Sequence, residues 1–198
     1  MDIAKFFELV LLFSFLVIID KILYKKGIAM SLESEIDSKR SEIKTDEYSM
    51  SIGEMISLYE KKEIDIHPEF QRYFRWSNQQ KTKLIESILL GIPIPPIFVA
   101  QQPNGIWDVV DGLQRLSTIF QFVGVLYDEN EKLVEPLVLE KTRDLPSLDG
   151  MRWESEEDED FTFPESQKLR IKRARIGVSI ILADSDPQSK FELFQRLN

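Results

Sequence analysis

The residues best placed to do chemistry lie in "WDVVDGLQR" (107–115), where an apolar run meets Asp111-Gly112-Leu113-Gln114-Arg115. A tight strand–glycine–helix turn leaves backbone N–H groups free at a helix start, where the helix dipole favours an anion. Gly112 lets the backbone approach a phosphate closely. Arg115, one turn into the helix, offers a planar fork for bidentate phosphate binding. Asp111 at the mouth suits a hydrated Mg²⁺ or the orientation of an attacking water. The same residues also fit a plain helix start, with Asp111 as N-cap, Gln114 completing a capping box and Asp111–Arg115 a surface ion pair. One turn can do both. It matches neither a Walker A loop nor a GxGxxG fingerprint.

A second polar cluster sits in "HPEFQRYFRW" (67–76), where Gln71 and Arg72 follow a proline-stiffened bend among Phe70, Tyr73, Phe74 and Trp76. It reads either as an aromatic wedge with surface arginines or as a pocket where a base stacks and Arg72 meets phosphate. His67 reads as structural. The basic run Lys168, Arg170, Lys172, Arg173 and Arg175 follows the acidic "ESEEDEDF". Mutual neutralisation in a solvated segment is expected there, with a phosphate-backbone patch as the alternative.

The elements that must position these groups follow from local patterns. Ser51…Glu54 and Ser77…Gln80 have the capping-box form. The first opens a helix with Ile52, Met55, Ile56 and Tyr59 at helical spacing. The second opens one whose apolar face is Leu84, Ile85, Ile88 and Leu89, stopped by Gly91 and Pro93. "IPIPPIFVAQQPNGIWDVVDG" predicts a hairpin turning at Pro-Asn-Gly. A helix over 112–126 follows, with Leu113, Leu116, Phe120 and Val123 on one face. Residues 127–165 read as irregular. A strand is expected near Ile176–Leu182, then a final helix with Asp186 as cap and Pro187 at its first position.

Composition narrows the chemistry. The 198 residues suffice for one good core. With no cysteine, disulfides, cysteine-ligated zinc and a thiol nucleophile are excluded, and one histidine excludes a His-rich metal site. The net charge of −9 gives no global pull toward nucleic acid or anionic lipid. The first 29 residues differ: Leu9 to Ile19 is apolar except for Ser14, bracketed by Glu8 and Asp20, with Lys21, Lys25 and Lys26 beyond. An anchor over residues 3–24 with membrane contact and an upstream extension ahead of Met30 are both consistent with this. The domain plan is therefore 1–29 apolar helix, 30–49 polar linker and 50–198 folded domain, in a cytoplasmic protein or one held at the membrane by its N-terminal helix.

The stretches "IDIHPEFQRYFRW", "SILLGIPIPPIFV", "VVDGLQRLSTI" and "FELFQRLN" occur in the order and spacing of one family. From about Met50 to Asn198 the chain resembles the N-terminal domain of the GmrSD-type modification-dependent restriction proteins. The resemblance implies an α+β domain of ParB/sulfiredoxin-like fold, with a small mixed sheet flanked by helices, here preceded by an apolar N-terminal helix. It implies binding, and in the family hydrolysis, of a nucleoside triphosphate with Mg²⁺, coupled to restriction of modified foreign DNA. Carried over by position, the Asp-Gly-x-Gln-Arg motif falls on Asp111, Gly112, Gln114 and Arg115, with Asp111 as catalytic and metal-binding residue. The upstream box falls on Gln71 and Arg72. The last box falls on Phe194, Arg196, Leu197 and Asn198, of which Arg196 and Asn198 are further site candidates. Three departures stand out. The family's last box normally continues into a glycine-containing loop that this sequence does not reach, so a domain truncated at its C-terminus is expected. Leu113 replaces a glutamine of the best-known motif, and no HNH-type histidine cluster accompanies the domain, so contact with DNA falls to a partner or a nuclease domain outside this chain. The expectation is a nucleotide-binding domain of a phage-defence restriction system. The alternatives are a DNA- or protein-binding module with a vestigial pocket and a membrane-tethered regulator.

Overall fold

The computed structural model describes residues 31–66, 76–155, 159–188, 192, 195 and 196. The chain divides into two units, Met1–Glu42 and Ile43–Asn198. In the first, helix α1 (Leu32–Glu42) buries no residue and carries a Lys39–Glu42 ion pair at 2.9 Å. It is a solvated helix, as its charge pattern suggests. The apolar run 3–24 lies outside the described residues. Among those described, no helix is long and apolar enough to cross a membrane.

The second unit is an α+β fold on a five-stranded mixed sheet. Its elements are β1 (Thr45–Ser51), α2 (Ile52–Glu60), β2 (Ile64–Asp65), α3 (Asn78–Leu90), β3 (Ile97–Gln101), β4 (Trp107–Asp111), α4 (Leu113–Val123), α5 (Glu165–Arg173) and β5 (Arg175–Ile181). The strand order is β1-β5-β3-β4-β2. Antiparallel pairs β1/β5 and β3/β4 alternate with parallel pairs β5/β3 and β4/β2. Alternation along the strands sends Ile97, Val99, Val109, Ile176, Val178 and Ile180 to the helix-covered face. There they meet α2 through Met55, α3 through Ile85 and Ile88, and α4 through Leu116 and Phe120, all buried. The opposite face holds a smaller cluster of Ala100, Val110 and Ile181 with Phe98.

Local signals in the sequence account for most element ends. Ser51 Oγ accepts from Glu54 N, so half of the expected box forms there. At Ser77 both halves form with Gln80. Helix α3 ends at Gly91 in the left-handed region, with Ile92 N donating to Ser87 O. The Asn104-Gly105 turn closes the hairpin through a bond from Gln102 N to Ile106 O. Asp186 precedes helical Pro187 and Gln188, as expected.

Four expectations gain detail. The folded unit begins ahead of residue 50, because β1 pairs with β5 over Thr45–Ser51. The described residues of 127–165 are irregular, as expected, and they also help build the core: Leu137, Leu139, Leu148, Trp153 and Phe163 are buried, and Phe122 packs edge-on against Trp153 and Phe163 at ring distances of 5.4 and 5.3 Å. The basic run is helical in α5 as far as Arg173, with Arg175 opening β5, and it is solvated as expected except at Lys168. Its Lys168 is only 4 % exposed, so it cannot serve a phosphate backbone. Neutralisation does occur, since Lys168 Nζ lies 2.7 Å from both Glu154 and Glu165. Helix α4 is also narrower than 112–126 and buried on more than one face, since Ile119 and Phe122 join Leu116 and Phe120 inside.

Candidate functional site

The motif occupies the junction of β4 and α4, and the strand pairing decides what each residue can do. Phe98 pairs with Asp111 while Val99 pairs with Val109, so β4 carries one extra residue, Val110. Such a bulge bends the strand and re-aims the side chains beside it. Asp111 is thus the last rung of β4 and not the N-cap of α4, contrary to the capping reading. Gly112 takes the cap position with φ +101° and no side-chain cap hydrogen bond. A Cβ there would lie 2.5 Å from Ile97 Cγ2 and 3.2 Å from Arg115 Nη2. Only glycine fits both the backbone angle and the space.

Helix α4 begins directly after this turn, with Leu116 N donating to Gly112 O. The N–H groups of its first turn have no intrahelical partner. Gln114 Oε1 accepts from Trp76 N at 3.2 Å, which ties this turn to the end of the segment carrying the Gln71-Arg72 box. Arg115 Nη2 donates to Asp111 Oδ2 at 2.9 Å and to the Pro96 carbonyl at 3.1 Å. The expected ion pair is therefore present. It lies mostly inside the fold on the arginine side, with Arg115 16 % exposed against 41 % for Asp111. Arg115 Nε is buried with no hydrogen-bond partner among the described residues. Leu113 is half-buried against the main core, which gives the unexpected leucine a packing role.

The structure thus brings Asp111, Gly112, Gln114 and Arg115 into one turn. Arg196 is described, on helical backbone and exposed. His67, Gln71, Arg72, Phe194, Leu197 and Asn198 lie outside the described residues. Among the described residues, no group of three His, Cys, Asp or Glu could hold a metal by itself. Mg²⁺ characteristically takes one or two carboxylates together with substrate phosphates. Asp111 fits that donor set for a cation that arrives with phosphate, and does not fit a resident all-protein site.

Lys81 is a buried charged group that pattern reading passes over. It is 7 % exposed on α3, and its Nζ donates to Gln121 Oε1 of α4 at 2.8 Å. Burial pulls its ammonium below the ordinary lysine pKa. The sequence does hold a signal for it, because Lys81 occupies the stripe position one turn before Leu84 and Ile85. The Lys81–Gln121 bond is thus a polar contact between α3 and α4, two turns along α4 from Gln114.

No curated protein and no solved structure matches the chain. Residues 52–198 match the family model described as the GmrSD restriction endonuclease N-terminal domain, a span that includes every element from α2 to β5 and the whole Asp111–Arg115 turn. The chain therefore belongs to the family of GmrSD restriction endonuclease N-terminal domains.

Proposed function

We propose that this component of a restriction and phage-defence system binds a nucleoside triphosphate at the β4–α4 turn. The observation that carries the reading is Gly112: a positive φ, no room for a side chain and a helix start without a side-chain cap, with Arg115 one turn on. Backbone N–H groups at such a turn suit phosphate oxygens, and Arg115 adds a cation. Asp111 holds Mg²⁺ through its exposed carboxylate or orients an attacking water, and the cation supplies charge neutralisation for the phosphates. By the family resemblance, Gln71 and Arg72 contribute to nucleotide binding, with Arg196 and Asn198 as further candidates. Hydrolysis, where it occurs, drives a partner or separate nuclease domain acting on DNA. With one histidine in the chain, HNH-type cleavage falls outside it.

A second reading, a DNA- or protein-binding module with a vestigial pocket, is favoured by one observation. Arg115 is already engaged by Asp111 and Pro96, as a structural arginine would be. A thermal-shift titration of the full chain with ATP, GTP, CTP and UTP, each with Mg²⁺, separates the two. Ligand at about 100 times Kd stabilises by about 2.7 kcal/mol, a rise of about 5–10 °C for a domain of this size. Arg115→Ala should abolish that rise. A chain that melts cooperatively with no shift from any of the four is the outcome that leaves only the second reading.

A further inference from the structure

The hydrogens on Arg115 Nη2 are both engaged, one by Asp111 Oδ2 and one by the Pro96 carbonyl. A guanidinium grips an anion bidentately through Nη1 with Nη2 or through Nε with Nη2. Both edges include Nη2. The side edge is further closed by the burial of Nε. Arg115 therefore cannot take a phosphate in two-point fashion while it holds both present partners. Of the two, the Pro96 carbonyl belongs to the backbone leading into β3, whose Ile97 is fully buried and cannot easily withdraw. The Asp111 carboxylate is the partner that can be taken away. It is the more exposed member of the pair, 41 % against 16 %, so it is the one open to a cation from solvent.

We infer that the Asp111–Arg115 ion pair is a latch that makes phosphate binding conditional on a divalent cation. This rests on the triphosphate reading and adds a rule to it: the ligand is the magnesium complex of a nucleoside triphosphate, and the free nucleotide is excluded. With Mg²⁺ as its ligand, the Asp111 carboxylate would no longer be held to Arg115 alone, and Nη2 would be freed. The released Nη2 then turns to the phosphate that the cation brings. The latch stays closed when the nucleotide comes without the cation.

The test is calorimetric titration with inorganic triphosphate and with each of the four common nucleoside triphosphates, in excess Mg²⁺ and in EDTA. The natural chain should bind at least about tenfold more weakly in EDTA, equivalent to about 1.4 kcal/mol. Asp111→Asn should bind in EDTA at least about tenfold tighter than the natural chain does, because the latch is open without metal. Asp108→Asn serves as the control for a general loss of repulsion. It removes the same charge from β4, but its carboxylate accepts from Gln102. Equal gains from the two variants, or no gain from Asp111→Asn, overturn the latch while leaving the site. Undiminished binding by Arg115→Ala overturns the phosphate reading itself. Cooperative thermal melting of each variant keeps these outcomes separate from misfolding.

Discussion

Gly112 carries two constraints at once, a backbone angle and a contact, and either alone would select glycine. For Gly112→Ala, the left-handed conformation and the push against fully buried Ile97 together should cost about 2–4 kcal/mol. Urea unfolding measures this, and a loss under about 1 kcal/mol would mean that the turn adapts and the close approach is dispensable. The motif's residues were legible from their types: an Asp-Gly step before an amphipathic run, with an arginine one turn later. Their division of labour was not. Whether Asp111 caps the helix or ends the strand depends on its pairing with Phe98 across a bulge, and that partner is 13 residues away in sequence. Likewise the Asp111–Arg115 spacing announces a pair but says nothing of Pro96, whose carbonyl makes the arginine part of the β3 framework.

At the scale of elements, α5 shows what pattern reading misses. Of its nine residues only Lys168 and Ile171 are buried, so the helix has almost no apolar period to detect. It is held instead by polar contacts made on folding: Lys168 with Glu154 and Glu165, and Arg170 Nη1 with the Leu89 carbonyl. Burial lowers the Lys168 pKa, but the two carboxylates outweigh it and the net shift is upward. A lysine whose folded pKa is raised contributes stability that is complete below the ordinary value of 10.5 and lost as pH climbs through the folded value. Lys168→Met should therefore flatten the fall in unfolding free energy between about pH 10 and 12. Denaturant titrations across that window decide it, and an unchanged slope would mean the carboxylates are not acting on Lys168. Lys81 has the opposite sign, since its lowered pKa makes its contribution rise with pH toward 10.5. Strand β1 was hidden for a related reason: its first five residues are exposed and only Met50 is buried, so pairing with β5 alone makes it a strand. By contrast, α3 and the β3–β4 hairpin declare themselves, because caps and turns are written within a few neighbouring residues.

At the scale of the molecule, β5 is the strand that joins β1 to the rest of the sheet, since it pairs with β1 on one side and β3 on the other. Next to that junction Leu182 N donates to the Lys44 carbonyl, and Lys44 N donates to Ser185 Oγ at 3.1 Å. A chain beginning at Ile43 should thus melt close to the full-length protein, because it keeps the whole second unit. One beginning at Ile52, where the family match starts, loses β1 and bares the edge of β5. It should melt at least about 10 °C lower, which at about 2–4 °C per kcal/mol corresponds to a loss of several kcal/mol. Calorimetry of the two truncations is the check, and equal melting points would remove β1 from the folding unit. The same pairing orders events during protein synthesis. Strands β2, β3 and β4 can form their half of the sheet while the remainder is still being made, but β1 has no neighbour until β5 leaves the ribosome. Roughly 130 residues separate the two strands, and at about 5–20 residues per second β1 waits on the order of ten seconds beside an unfinished sheet. The polar, acidic character of Thr45-Asp46-Glu47, so unhelpful for recognising a strand, keeps the waiting segment from pairing with another nascent chain.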